Sequence, residues 1–409
     1  MRLARRSHAT HCSFFVLSPT AAAHAPNRRP STGHNGAGSN VKSLIASEVA
    51  KPSQGLYTDE TYGGTLTRLN RGDDLPDSGL ETSFNRAAKQ LLWRFARPLY
   101  RRLQPNGKRE FSIGIAIGDS PLALELPASI ANPVLTRHEV TDVPAEFVAD
   151  PFMCRVGDDW YLFFEVVNHL AHKGEIALAV SRDGMTWKYQ RVVLAEPFHL
   201  SYPYVFEWDG SYYMIPEGAA GGAIRLYRAA RFPDQWERIA TLVEGERFVD
   251  ASILRHGDKW WLFTDAGPDS KNPILHLYFS DELLGPWREH PLSPVLRDPH
   301  FSRPAGRIVV VDGTPIRFAQ DIYPIYGSSV SAFAITKLTP TEYEEKRLGD
   351  QPVLGAGTPS WKRHGMHHVD AHLRADGSWI ACVDGLGTAP VSSVDGEIAR
   401  HPSAVQRAR

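Results

Sequence analysis

Between residues 150 and 384 the apolar positions come in short blocks, and each block carries the same punctuation. Five runs rich in aromatic and branched residues, WYLFFE, YYMIPE, WWLFTD, IRFAQD and WIACVD, each close on an acid: Glu165, Glu217, Asp265, Asp321 and Asp384. A polar residue opens the strand-like stretch before each run: Asp150, Tyr202, Asp250, Arg303 and Asp370. The opening and closing points lie 15, 15, 15, 18 and 14 residues apart. Midway between them sits a turn pair, Gly157-Asp158, Asp209-Gly210, Gly257-Asp258, Asp312-Gly313 and Asp376-Gly377. Gly with Asp between two apolar runs signals a hairpin, because such turns need residues that accept positive φ. A hairpin brings its ends together, so each opening residue is expected beside its unit's closing acid, at one end of the sheet.

Every unit continues past its hairpin with more strand-like text, for example EIALAVS then WKYQRVVL, and ILHLYFS then WREHPLS. Four short strands per unit and a period of roughly 50 residues predict an all-β, five-bladed β-propeller. The last unit has two clear strands before the chain turns polar at Val391. The stretch 111–136 (FSIGIAIG, ALELP, NPVLT) reads as strands and is expected to complete the fifth blade. Closure of this kind removes exposed sheet edges. The expected organisation is a patternless, disordered segment over 1–50, a linker with a basic amphipathic helix over 51–110, the propeller over 111–390 and a polar tail over 391–409.

Composition narrows the class. A formal net charge of -1 leaves no nucleic-acid footprint. Cys12, Cys154 and Cys382 make no disulfide framework, and the last two sit in predicted core strands, so a reducing, cytoplasmic setting is expected. No apolar run approaches the ~20 residues of a membrane span. The N-terminal MRLARRS, CSFFVL and AAAHA loosely resemble a signal peptide, but an apolar stretch of about six residues is short for one. Residues 83–103 differ in kind: Phe84, Leu91, Leu92, Phe95, Leu99 and Leu103 recur near helical spacing, interleaved with Arg and Lys. Such a helix either packs on the propeller or lies on an anionic membrane surface, which would make the protein peripheral to a membrane.

Five hairpin ends around an axis would gather up to eight carboxylates, Arg303 and Tyr202 at one mouth. Clustered carboxylates repel, so some must be protonated, paired with Arg or bound to a cation. Carboxylates of unequal pKa are what cleavage of an acetal requires: one group protonates the leaving oxygen and another activates water or attacks carbon. Asp150, Asp250 and Glu217 are the candidate catalytic residues. Glu165, His199, Tyr202, Arg303, Gln320, Asp321, His368 and Asp370 are the candidates for holding substrate, since sugars offer apolar faces and many hydroxyls. Asp265 and Asp384 read as hydrogen-bonded structural acids, and the turn aspartates as turn formers. His367, His368, Asp370 and His372 are the one metal-like cluster, read as hydrogen-bonded histidines, so no metal is expected. SRDGMTW (181–187) resembles the structural Asp-box turn of other propellers. With no Gly-rich phosphate loop, no Ser-His-Asp order and no paired CxxC, no cofactor is expected.

The blocks ADPFM, HLSYPYVF, YMIPEG, FVDASIL, WWLFTD and RFAQD resemble the N-terminal domain of plant glucosamine inositolphosphorylceramide transferases and its bacterial relatives. That domain is similar in turn to the five-bladed propellers of glycoside hydrolase families 43, 32 and 117. The family 43 pattern implies Asp150 as general base and Asp250 as the acid that orients and tunes the proton donor. Family 43 draws that donor, a Glu, from the start of a later blade, where this chain has Arg303; Glu217 or Glu165 would then take the role. The expected function is glycoside-hydrolase-like cleavage or transfer of a glycosidic bond in a glycan or glycolipid. The alternative is a non-catalytic glycan-binding or scaffold module in polysaccharide or glycolipid biosynthesis.

Overall fold

The computed structural model describes residues 109–388, which form five antiparallel sheets in a five-bladed propeller. Blade one runs Ala145–Val156, Asp159–Asn168, Lys173–Ser181 and Lys188–Leu194. Blade two runs Ser201–Trp208, Ser211–Glu217, Ala223–Arg231 and Gln235–Glu244. Blade three runs Val249–His256, Lys259–Asp265, Leu275–Ser280 and Arg288–Glu289. Blade four has Arg303–Pro304, Thr314–Asp321, Ser329–Leu338 and Tyr343–Leu348, with Val309–Val311 and Leu354–Gly355 added at its edges. Blade five joins Val369–Leu373 and Trp379–Thr388 to Arg109–Ser120 and Ala123–Glu125. The ring therefore closes as expected, through pairing that runs from Arg109↔Thr388 to Gly118↔Trp379. The readings of 1–50, of 83–103 and of the tail lie outside the described residues.

Each inner hairpin turns where the sequence predicts, with positive φ at Gly157, Asp209-Gly210, Gly257, Asp312-Gly313 and Gly377. The apolar runs are continuous because each blade is covered on both faces by its neighbours. Along Asp159–Asn168, Leu162, Phe164 and Val166 pack toward blade five with Ile113 and Ile380, while Phe163 packs toward blade two with Met214 and Leu226. Along Lys259–Asp265 the same alternation sends Trp261 and Phe263 toward blade four and Trp260 and Leu262 toward blade two. Trp187 of the Asp-box turn joins the seam between blades one and five and donates its indole N–H to the Gly184 carbonyl.

The axis is filled by side chains. Tyr202 is fully buried; its hydroxyl accepts from the Gly306 amide and bonds Ser252 Oγ at 2.8 Å. Arg307, its guanidinium over the rings of Tyr204 and Phe152, binds the Asp370 carboxylate. With its centre closed, the propeller offers a blind mouth.

Candidate functional site

The inner-strand ends are built alike. The residue before the opening position pairs with the closing acid in blade one (Ala149↔Glu165), blade two (Ser201↔Glu217) and blade three (Val249↔Asp265). Immediately after that pair each of the three strands bulges, and the bulged residue takes a left-handed backbone: Asp150 at φ 51, Tyr202 at φ 44 and Asp250 at φ 52. A bulge re-aims a side chain, and a non-glycine residue held at positive φ costs on the order of 1–2 kcal/mol. Three such residues at equivalent positions are strain maintained by their surroundings, which concentrates at functional sites. At two of these positions Pro follows, Asp150-Pro151 and Tyr202-Pro203, which suits a bulge because Pro cannot donate to a ladder.

Two arrangements of charge meet at the mouth. In the first, Arg303 Nε lies 2.5 Å from Asp250 Oδ2 and its terminal nitrogen 4.0 Å from Glu217 Oε2. Gln320 donates to the same Asp250 oxygen at 2.9 Å and to the Pro304 carbonyl at 2.9 Å. Gln320 is 2 % exposed, so it positions Asp250 rather than meeting a ligand. Burial and the neighbouring Asp250, to which Glu217 also hydrogen-bonds, push the Glu217 pKa up to about 8. Burial alone would lower the Arg303 pKa, but Asp250 and Glu217 outweigh it and hold the guanidinium charged. At neutral pH the group thus sets a cationic Arg303, bound to Asp250, beside a protonated Glu217.

In the second, His367 stands between two aspartates, Nδ1 2.7 Å from Asp384 Oδ1 and Nε2 3.4 Å from Asp150 Oδ1. Asp384 also accepts from the Asp150 amide at 3.1 Å and from the His367 amide at 3.2 Å. Burial opposes charge on His367, yet Asp384 and Asp150 prevail and raise its pKa to about 9. Burial lifts the Asp150 carboxyl well above the usual carboxylate range, and His367 draws it back. Asp150, His367 and Asp384 are also the one trio among the described residues whose ligand atoms fall within 4.8 Å of one another. An imidazolium flanked by carboxylates has no lone pair to offer a cation, so the trio suits a proton relay better than a metal.

The remaining candidates divide. Glu165 receives the Nε2–H of His199 at 3.1 Å, and the Gly174 amide donates to His199 Nδ1 at 2.9 Å. Burial disfavours a charged His199 and Glu165 favours it enough to raise its pKa to about 9, but a second proton would have to displace the Gly174 donor. The bond is directional and local, so the ring stands neutral with its proton toward Glu165. Asp321 binds His300 Nδ1 at 3.0 Å and the Tyr323 amide at 2.9 Å, anchoring the loop that follows it. Asp265 accepts two backbone amides, from Gly267 and Ile274, at 2.8 Å each, the structural role its sequence suggests.

Besides Gln320, three expected ligand contacts are corrected. Tyr202 is an axis plug with both hydroxyl functions engaged. His368 is 1 % exposed against Phe152 and Tyr202, and burial lowers its pKa to about 4. Asp370 lies one step past the mouth, bound to Arg307, to His372 at 3.0 Å and to the Met153 amide at 2.7 Å. Blade five has no bulge at this point, and Val369↔Val383 puts His368, not Val369, opposite the closing Asp384. Conversely, the structure adds His367 and Tyr326, whose ring lies 5.2 Å from the Arg303 guanidinium and 5.4 Å from His367. An open depression of about 730 Å³ between residues 221–225 and 238–245 shares no lining residue with this group.

The profile of the family described as "Glucosamine inositolphosphorylceramide transferase 1, N-terminal" matches residues 103–386. The chain belongs to this family. It is 37 % identical over 304 residues to Glucosamine inositolphosphorylceramide transferase 1 of Oryza sativa subsp. japonica, a match covering 69 % of this chain and 40 % of that protein. The namesake from Arabidopsis thaliana is 33 % identical over 297 residues, covering 67 % and 39 %. The family member thus spans about two-fifths of the curated relatives it matches. Among solved structures, a putative glycoside hydrolase from Bacteroides ovatus aligns with a TM-score of 0.48 at 15 % identity, covering 63 % of this chain and 95 % of that one. Zg3597, a family 117 glycoside hydrolase from Zobellia galactanivorans, aligns at 0.42 and 15 % identity, covering 62 % and 92 %.

Proposed function

We propose that this chain is a carbohydrate-active propeller that works on a glycosidic bond, by hydrolysis or by transfer, with Glu217 as proton donor and Asp150 as base. The observation that carries the reading is Glu217, whose pKa burial and the neighbouring Asp250 push up to about 8, beside an Asp250 carboxyl that Arg303 and Gln320 hold in place. A carboxyl group kept protonated near neutral pH is the form a general acid needs. Glu217 gives its proton to the leaving oxygen as the carbon–oxygen bond breaks. Asp150, in its ionised form, takes a proton from the attacking water or sugar hydroxyl; burial makes it a stronger base than an exposed carboxylate, His367 favours its charge and Asp384 holds its backbone amide. Asp250 touches no reacting atom here; it orients Glu217.

The relatives' name points to a glucosamine-bearing or inositolphosphoryl glycolipid as the class of ligand. One observation favours a binding module instead: Asp250 and Arg303 are 2 % and 7 % exposed and satisfy each other. The test is turnover and binding measured together on glucosamine- and N-acetylglucosamine-terminated glycans. If the enzyme reading holds, Asp150→Asn and Glu217→Gln each lose a factor of about 10²–10⁴ in rate while still binding glycan. Binding by the wild type with no turnover of any glucosamine glycoside would establish the module.

A further inference from the structure

The mouth is flanked by a surface that the chemistry of the carboxylates does not use. The loop after Asp321 presents Tyr323 at 60 %, Ile325 at 53 % and Tyr326 at 39 % exposure, the densest run of exposed large apolar side chains among the described residues. Such a run marks an interaction site rather than ordinary surface. Its acid, Asp321, is turned to His300 and the Tyr323 amide and so does not offset the apolar tip.

Directly beside this loop lies positive charge. A Cβ placed on Gly365 would come within 2.2 Å of the Gly327 carbonyl oxygen, so the two segments touch backbone to backbone. His364 and Gly365 bond the Leu386 backbone at 2.9 Å each, at the end of the strand where Thr388 pairs with Arg109. Arg109 and Arg363 are exposed there, and both act on His364. Arg109 is also where the preceding chain joins the propeller, and residues 83–103 of that chain are rich in Arg and Lys. The exposed apolar pair Tyr323 and Ile325 next to a basic patch, at the end of the blades where the site lies, matches the demands of a lipid interface: insertion of the one and attraction of anionic headgroups by the other.

We propose that this rim, Tyr323 and Ile325 with Arg109 and Arg363, docks the propeller mouth-down on an anionic lipid bilayer. The surface would present the mouth to a glycolipid headgroup without that lipid leaving the membrane. Docking does not depend on whether the site cleaves, transfers or only binds.

The test is co-sedimentation of the full chain with vesicles of phosphatidylcholine alone and of phosphatidylcholine containing about a third phosphatidylserine. The full chain should bind the anionic vesicles, bind the neutral ones far more weakly, and lose binding as salt is raised. Exchanging Tyr323→Ser with Ile325→Ser should weaken binding roughly tenfold or more, because apolar insertion is removed. Arg109→Gln with Arg363→Gln should also weaken it roughly tenfold. Leu284→Ser is the control: Leu284 is 62 % exposed, but its turn follows Leu275–Ser280, the strand that leads away from the mouth. It should bind as the wild type does. The altered side chains are at the surface, so unchanged thermal midpoints should accompany the losses. Absence of vesicle binding, binding indifferent to both double substitutions, or a self-association that Tyr323→Ser with Ile325→Ser abolishes without any vesicle binding would each overturn the proposal.

Discussion

Arg303 is the residue on which the mouth turns. It puts a cation at the opening position of its blade, where it binds Asp250 directly and stands beside the protonated Glu217. Removing one partner of a buried ion pair strands the other, at a cost of about 3–5 kcal/mol. Arg303→Ala should therefore lower stability by that amount in denaturant titration, and adding Asp250→Asn should restore part of it; additive losses would show that the two do not act as a pair. Glu217 sets the pH behaviour. A donor with a pKa near 8 acts only while protonated, so any kcat/KM for glycoside cleavage should decline as pH rises through about 8. A profile flat to pH 10 would remove Glu217 from the donor role.

At the scale of elements, the fifth blade decides closure. The strand Arg109–Ser120 covers Trp379–Thr388 along its whole length, and Trp361 is laid against the glycines of both strands. A Cβ at Gly385 would sit 2.5 Å from the Trp361 ring and one at Gly114 would sit 2.6 Å from it. Gly385→Ala should accordingly destabilise by about 1–3 kcal/mol, the usual cost of overpacking, as read by thermal or chemical unfolding. A midpoint unchanged from the wild type would mean that Trp361 moves aside freely. The hairpins themselves were legible in the sequence because Gly with Asp at the tip and an apolar run on each side is a local signal. The bulges were not, since a one-residue register change is fixed by the neighbouring strand. The repeat spacing of 14 in the fifth unit, against 15 in the first three, is the trace of the missing bulge.

For the molecule as a whole, stability is tied across the axis by charge. Arg307 of blade four holds Asp370 of blade five, which caps the Met153 amide of blade one, and Asp384 of blade five caps the Asp150 amide. Burial would raise the Asp370 pKa, but Arg307 and His372 depress it below the carboxylate range. Its contribution is therefore present above the unfolded value of 3.8 and is lost as pH falls through the lower folded one. Glu217 and His367 run the other way. Their folded values of about 8 and about 9 lie above the unfolded 4.5 and 6.5. What they contribute is full below the unfolded values and is lost as pH rises through the folded ones. From these three groups the stability, read as the thermal midpoint, should be greatest where all contribute in full, between the unfolded values of 3.8 and 4.5. It should fall on both sides, toward acid through Asp370 and toward alkali through Glu217 and His367. Glu217→Gln should make the alkaline decline shallower and Asp370→Asn the acid decline shallower. Limbs unaltered by either substitution would place the linked protons elsewhere.

The sequence by itself determined the number of blades, the strand that closes the ring and the end of each hairpin at which charge collects. Each of these rests on local chemistry: turn residues that tolerate positive φ, apolar runs of strand length, and a repeat that places the same residue type at the same step. It also separated turn aspartates from axial ones, and marked Asp265 and Asp384 as hydrogen-bonded acids. Only the tertiary structure decided which axial groups reach the mouth. Tyr202, His368 and Asp370 carry the right chemistry at the right step, yet they turn inward to the axis, where Tyr202 and Asp370 bond to other blades and His368 packs against Phe152 and Tyr202. Likewise the protonation of Glu217 beside Asp250 and the seating of His367 between Asp150 and Asp384 depend on distances between different blades. A charge state is a property of what surrounds a carboxyl group, and the surroundings of these carboxyls come from residues as much as 234 positions away.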